Sequence, residues 1–159
     1  MKKTIILLFS CLSLLCCKPS APKEDSIKSK LTGSWLLLSS TATRKDTVIH
    51  NDVPGTKMIK IINDTHFSFL QHTLEVAPDS AAQANRLFVA GGGSYDLTGN
   101  HYTEHLEFCS AQAYEGNNFE FDLEIKGDTL IQTGIEKLKD IGAGEENQLL
   151  MEKYIRIKN

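Results

Sequence analysis

The sequence predicts an all-β domain, an antiparallel up-and-down β-barrel of about eight strands with a short helical insertion. Three observations predict it. Apolar residues recur at every second position along short runs, the runs are punctuated by Gly, Asn and Asp in hairpin-length turns, and the number of runs matches a small closed barrel. At 159 residues and 41% hydrophobic content the chain holds one domain with a real core.

The N-terminus reads as an address. Met1-Lys2-Lys3 is followed by an apolar run from Thr4 to Leu15, shorter than the roughly 20 residues that cross a bilayer, which makes residues 1–16 a secretory signal. Leu14-Leu15-Cys16-Cys17 resembles a bacterial lipobox, which implies that Cys17 carries acyl groups such as palmitate and anchors the protein to a membrane of the cell envelope. A cut before Cys11 is the alternative, with Ser10 suitably small but an h-region of only about six residues. Cleavage before Cys17 removes Lys2 and Lys3 and no acidic group, moving the net charge from −3 to −5. So acidic a chain is a poor partner for nucleic acid. Only Cys17 and Cys109 then remain, so with Cys17 lipidated no internal disulfide is available. Residues 17–30, rich in Lys, Ser and Pro, are predicted to be a flexible tether to a barrel domain over 31–159.

The strands follow in order. The first runs from about Gly33 to Ser40. Met58 to Ile62 and His66 to Phe69 form a hairpin; a three-residue loop at Asn63-Asp64-Thr65 places Ile59, Ile61, Phe67 and Phe69 on one face. Asp79 to Phe88, Ala-rich after a proline, predicts two turns of helix. Ser94 to Leu97 and Tyr102 to Phe108 pair across Gly99-Asn100 in a type II′ turn, with Thr98 opposite His101, Leu97 opposite Tyr102 and Tyr95 opposite Glu104. Phe119 to Ile125 alternates strictly, with Phe119, Phe121, Leu123 and Ile125 inward, and returns through Leu130-Ile131-Gln132 after Gly127-Asp128. A loop over Lys139 to Asn147 leads to a last strand around Leu149 to Ile157.

His101-x-x-Glu104-His105 has the spacing of a zinc peptidase motif, which needs a helix to bring both imidazoles to one ion. Tyr102 and Thr103 favour a strand, where positions four apart lie about 13 Å from each other and Glu104 faces the opposite side. The motif is therefore expected to hold no metal, with both histidines outward. Glu104 is the more informative residue, since an inward carboxylate must be paired, hydrogen-bonded or in a wet cavity. It reads either as the polar anchor of a ligand pocket or as one half of an interior pair with an Arg or Tyr. Gly91-Gly92-Gly93 lacks the lysine and helix of a phosphate loop and reads as a barrel bend or bulge. Cys109 has no evident catalytic partners and reads as a buried or half-buried thiol.

Gly33-Ser34-Trp35 near the start of the domain and Tyr154-Ile155-Arg156 near its end would meet on closing a barrel, with the guanidinium stacked on the indole. With these residues the chain resembles the lipocalin and calycin group. It looks still more like the small lipocalin-like lipoproteins of Gram-negative bacteria. The stretches that carry the likeness are Gly33-x-Trp35, "IKIINDTHFSF", "GGGSYDLTGNHYTEHLEF", "GDTL" and Glu152-x-Tyr154-x-Arg156. Tyr154 departs from it, standing where such proteins commonly have Trp. The resemblance implies a barrel binding a small hydrophobic or amphipathic ligand, with no catalytic set and no cofactor. Trp35 and Arg156 are then barrel-closing residues, and Phe67, Phe69, Tyr95, Tyr102, Glu104, Leu106 and Phe121 the expected ligand-binding set. The alternatives are a filled barrel acting as a structural or interaction lipoprotein and, further off, an enzyme using Glu104 as general base.

Overall fold

The computed structural model describes residues 25–51, 55–74 and 86–158, which fold as a helix followed by nine strands. The elements are α1 (Asp25–Leu31), β1 (Gly33–Arg44), β2 (Thr47–His50), β3 (Thr56–Ile62), β4 (His66–Thr73), β5 (Phe88–Thr98), β6 (His101–Cys109), β7 (Asn118–Lys126), β8 (Thr129–Glu136) and β9 (Gln148–Arg156), with a 3-10 turn at Gln112–Tyr114 between β6 and β7. All strand pairs are antiparallel, and β9 returns to pair with β1, so that eight strands close the barrel and β2 is an added hairpin arm. β1 can serve three neighbours because it is long: Gly33 to Leu36 face β3, Thr41 to Arg44 face β2, and its other edge pairs with β9 across a bulge at Leu38.

The hairpin at Gly99-Asn100 has the expected register, with Leu97 opposite Tyr102 and Tyr95 opposite Glu104. The hairpin at Gly127-Asp128 closes with Lys126 opposite Thr129, and Phe119, Phe121 and Leu123 are buried on its inner face, with Ile125 packed beside them. Gly93 lies where β5 and β6 shift register, and a Cβ there would run into the His105 carbonyl. Gly92 likewise lies against the Phe67 carbonyl of β4 and Gly91 against the Phe69 ring, and no phosphate cradle is needed to explain the three glycines.

Three expectations are corrected. The tether does not extend to residue 30, because Asp25 to Leu31 form α1, whose Leu31 is fully buried and belongs to the core. The β3–β4 register is shifted by one residue from the expected one, with Ile62 opposite Phe67. Its cause is Asn63, whose side-chain oxygen accepts from the backbone N–H groups of Thr65 (2.9 Å) and His66 (2.7 Å), while its own N–H donates to the His66 carbonyl (2.9 Å). This Asx turn holds Asn63 opposite His66 across Asp64-Thr65. A one-residue slip reverses every side chain of a strand; hence Lys60 and Ile62 face inward and Ile61 is exposed. The third correction concerns residue 88, expected in a helix, which opens β5. Residues 79–85 of that expected helix, the signal at 1–16 and Cys17 lie outside the described residues.

Candidate functional site

From the closed end of the barrel to the open one, the inward residues of β9 are Arg156, Tyr154, Glu152, Leu150 and Gln148, and each marks a layer of the interior. At the closed end the Arg156 guanidinium lies 4.1 Å from the centre of the Trp35 ring. It donates to the carbonyls of Thr32 (2.9 Å) and Lys30, and the indole N–H donates to the Leu31 carbonyl at 2.8 Å. Together these bonds satisfy carbonyls at the C-terminus of α1 that have no partner within the helix. Gly33 has φ +142, and a Cβ there would occupy the place of the guanidinium. The Gly-x-Trp and Arg thus form one device that fastens the helix over the barrel end.

The next layers hold a polar chain that crosses the interior. Lys60 Nζ donates to Glu104 Oε1 at 2.5 Å and to Gln132 Oε1 at 2.9 Å; Gln132 Nε2 donates to Glu152 Oε2 at 2.8 Å, which also accepts from the Tyr154 hydroxyl at 2.7 Å. Lys60 and Gln132 are each 2% exposed and Glu104 6%, so the ion pair is removed from water. The rings of Phe67, Tyr102, Phe121 and Tyr154 surround the ammonium, with centroids 5.5 to 5.9 Å away. A cation so placed gains from each ring face while its charge is met by Glu104. Burial raises the Glu152 carboxyl pKa, with Glu104 and Glu136 adding to the effect and Lys60 and Tyr154 opposing it. Burial and the neighbouring carboxylates keep Tyr102 and Tyr154 protonated. The Tyr102 hydroxyl is the one fully buried side-chain polar atom among the described residues without a hydrogen-bond partner.

Above this floor is a cavity of about 120 Å³ lined by Lys60, Glu104, Gln132, Glu136, Glu152 and Tyr114 together with Phe69, Leu106, Phe119, Phe121 and Leu150. A second polar chain spans its outer side, from Arg44 Nε to Gln148 Oε1 (2.7 Å) and from Gln148 Nε2 to Glu136 Oε2 (2.5 Å). Burial and then Glu136 push the Tyr114 hydroxyl up to about 12. A larger concavity of about 680 Å³ lies elsewhere, open to solvent along β4, β5 and β6, where Gly91 to Gly93 offer no side chains and Leu70 and Phe108 are exposed.

Of the seven expected ligand-binding residues, six are buried and Phe69 is partly so. Phe69, Glu104, Leu106 and Phe121 line the cavity. Phe67, Tyr95 and Tyr102 pack against one another instead, with ring centroids 5.1 Å apart for Tyr95–Tyr102 and 6.5 Å for Phe67–Tyr102. The Tyr95 hydroxyl, expected beside Glu104, donates to the Asn63 carbonyl at 2.8 Å. The interior pair of Glu104 is formed with a lysine, not with the Arg or Tyr expected. Sequence reading missed Lys60, Gln132, Glu136, Glu152 and Tyr114 as site residues. The available signal was Lys60 itself, the one charge in the run Met58 to Ile62, together with an inward carboxylate that required a cation.

His101 and His105 sit on the outer face, each with its own partners: His101 3.6 Å from Asp122, and His105 2.8 Å from Asp96 and 2.9 Å from Asn118. Cys109 is a half-buried free thiol. The fold and interior define a closed antiparallel β-barrel with a helical plug and a charged, aromatic-walled cavity. No protein-family model matches the chain, and no curated protein matches it.

Proposed function

We propose that the protein is a lipid-anchored, lipocalin-like barrel of the cell envelope that binds a compact amphipathic ligand, without catalysing a reaction. The observation that carries this reading is the cavity of about 120 Å³ resting on buried charged and polar groups. That volume corresponds to about four waters, and most sites for drug-sized ligands are larger, roughly 300–1,000 Å³. A short ligand with one polar group fits this interior; a full acyl chain does not. The resemblance of Leu14 to Cys17 to a lipobox supports anchoring through Cys17 in the outer membrane, with the domain on its periplasmic or surface side.

Native mass spectrometry of the protein purified from its own membrane tests the reading. A retained low-mass ligand is expected, and Leu150→Phe, which fills the cavity from its wall, should abolish retention. If nothing is retained and no small probe binds, the ligand-binding reading falls. Cys17→Ser should release the protein into the soluble fraction, and continued membrane association would move the anchor to Cys11 or remove it.

A second reading, an interaction lipoprotein with a filled barrel, is favoured by the closed Lys60–Glu104 pair and by the exposed Leu70 and Phe108 along the open concavity. Leu70→Ser with Phe108→Ser would then abolish partner capture in membrane cross-linking while Leu150→Phe had no effect.

A further inference from the structure

We infer that the interior cavity takes a small organic cation, a primary alkylammonium or a compact quaternary ammonium, held between carboxylates and aromatic ring faces. This inference rests on the ligand-binding reading above and names its ligand class. The first ground is the charge of the lining. Glu104, Glu136 and Glu152 face the cavity against one cation, Lys60, which is already bound to Glu104 and Gln132. Arg44 does not line the cavity and reaches Glu136 only through Gln148. An anionic ligand would meet uncompensated carboxylate; an ammonium would supply the missing charge and several donors.

The second ground is the wall. Phe69, Tyr114, Phe119 and Phe121 line the same space, and ring faces attract a cation while tolerating its alkyl groups. The third ground is a precedent at the floor of the cavity: this barrel already houses an ammonium in this way. Lys60 Nζ sits against a carboxylate within a set of four rings, so the interior offers a desolvated ammonium both a counter-charge and ring faces. Size is consistent, since a volume of about 120 Å³ equals about four waters and admits a short amine rather than a chain.

The test uses three probes of matched shape on the mature protein: isobutylamine, isobutanol and isobutyrate, titrated by calorimetry and by amide chemical shifts. The amine is expected to bind most tightly, on the order of ten-fold better than the alcohol, with isobutyrate weakest. Glu136→Gln should weaken the amine by a similar factor and leave the alcohol unchanged; Leu150→Phe should exclude both, which covers the case in which Glu136→Gln fails to fold. Preferential binding of the alcohol or the carboxylate, or amine binding indifferent to both variants, overturns the cation assignment and leaves the ligand-binding reading standing. Failure of all three probes overturns both.

Discussion

At the closed end of the barrel, Arg156 is a charge held at the rim, stacked on Trp35 and spending its donors on helix carbonyls. Two layers further in, Lys60 is a charge held in the interior, where only Glu104, Gln132 and ring faces meet it. The chemistry is similar, a cation against aromatic rings, but the surroundings differ. Water can replace the partners of Arg156 and cannot replace those of Lys60. Loss of a partner is therefore expected to be graded at the first site and severe at the second.

The sharpest way to break the comparison is Lys60→Met. It leaves Glu104 buried and unpaired, and removal of one half of such a pair costs about 3–5 kcal/mol. Adding Glu104→Leu should restore most of the loss, because an apolar pair of similar volume avoids the desolvation penalty. A double-mutant cycle by urea denaturation checks both outcomes. A double variant no more stable than Lys60→Met would mean that the lysine acts mainly through its ring contacts. Arg156→Met should cost less, about 1–3 kcal/mol, through lost stacking and lost bonds to α1. Amide exchange should then accelerate across α1 and the start of β1 and leave the β6–β7 pair protected.

The same contrast explains what the sequence made legible. The Gly33, Trp35 and Arg156 device was readable because the single tryptophan stands near the start of the domain and an arginine near its end. The hairpins at Gly99 and Gly127 were readable because glycine at a two-residue turn fixes register. Lys60 was hidden by a single hydrogen-bonding choice, the Asn63 side chain accepting from Thr65 and His66, which shifts the register by one residue and exchanges the faces of β3. Gln132 and Glu152 were hidden for another reason. A polar residue inside a barrel breaks no alternation rule unless the facing residue is known, and the pairing of Gln132 with Glu152 joins β8 to β9 across a long connection. Helix α1 resembled a tether because its seven residues are mostly polar, and its one buried anchor is Leu31.

Glu152 sharpens the difference between charge tolerated and charge required. Burial raises its folded-state pKa above the ordinary carboxylate value, so between those two values the folded protein binds more protons than the unfolded chain. Its stabilising contribution is present at low pH and is lost as pH rises through the folded pKa. Glu152→Gln keeps an oxygen for Gln132 and Tyr154 and removes the titration. Urea midpoints should show a variant whose stability falls less than the wild type's between about pH 5 and pH 8. An unchanged slope would mean that Lys60 and Tyr154 hold the carboxylate ionised throughout.

The smallest expected effect lies outside the barrel, at His105, where water competes for every partner. Its two ring nitrogens face two acceptors, Asn118 Oδ1 at 2.9 Å and Asp96 Oδ2 at 2.8 Å. A neutral imidazole can donate to only one of them, so the protonated ring fits the site better. The hydrogen bond to Asn118 and then that to Asp96 raise its pKa above the ordinary histidine value. The resulting stabilisation is complete below that ordinary value and disappears as pH rises through the raised one. His105→Gln should therefore lower stability slightly at about pH 5.5 and leave it unchanged at about pH 8.5, and added salt should shrink even the acidic difference because the pair is exposed. A loss at His105→Gln that persists at high pH and high salt would show the ring packing against the β5–β6–β7 surface rather than carrying a charge. The outer face would then be held in the same pH-independent way as the closed end.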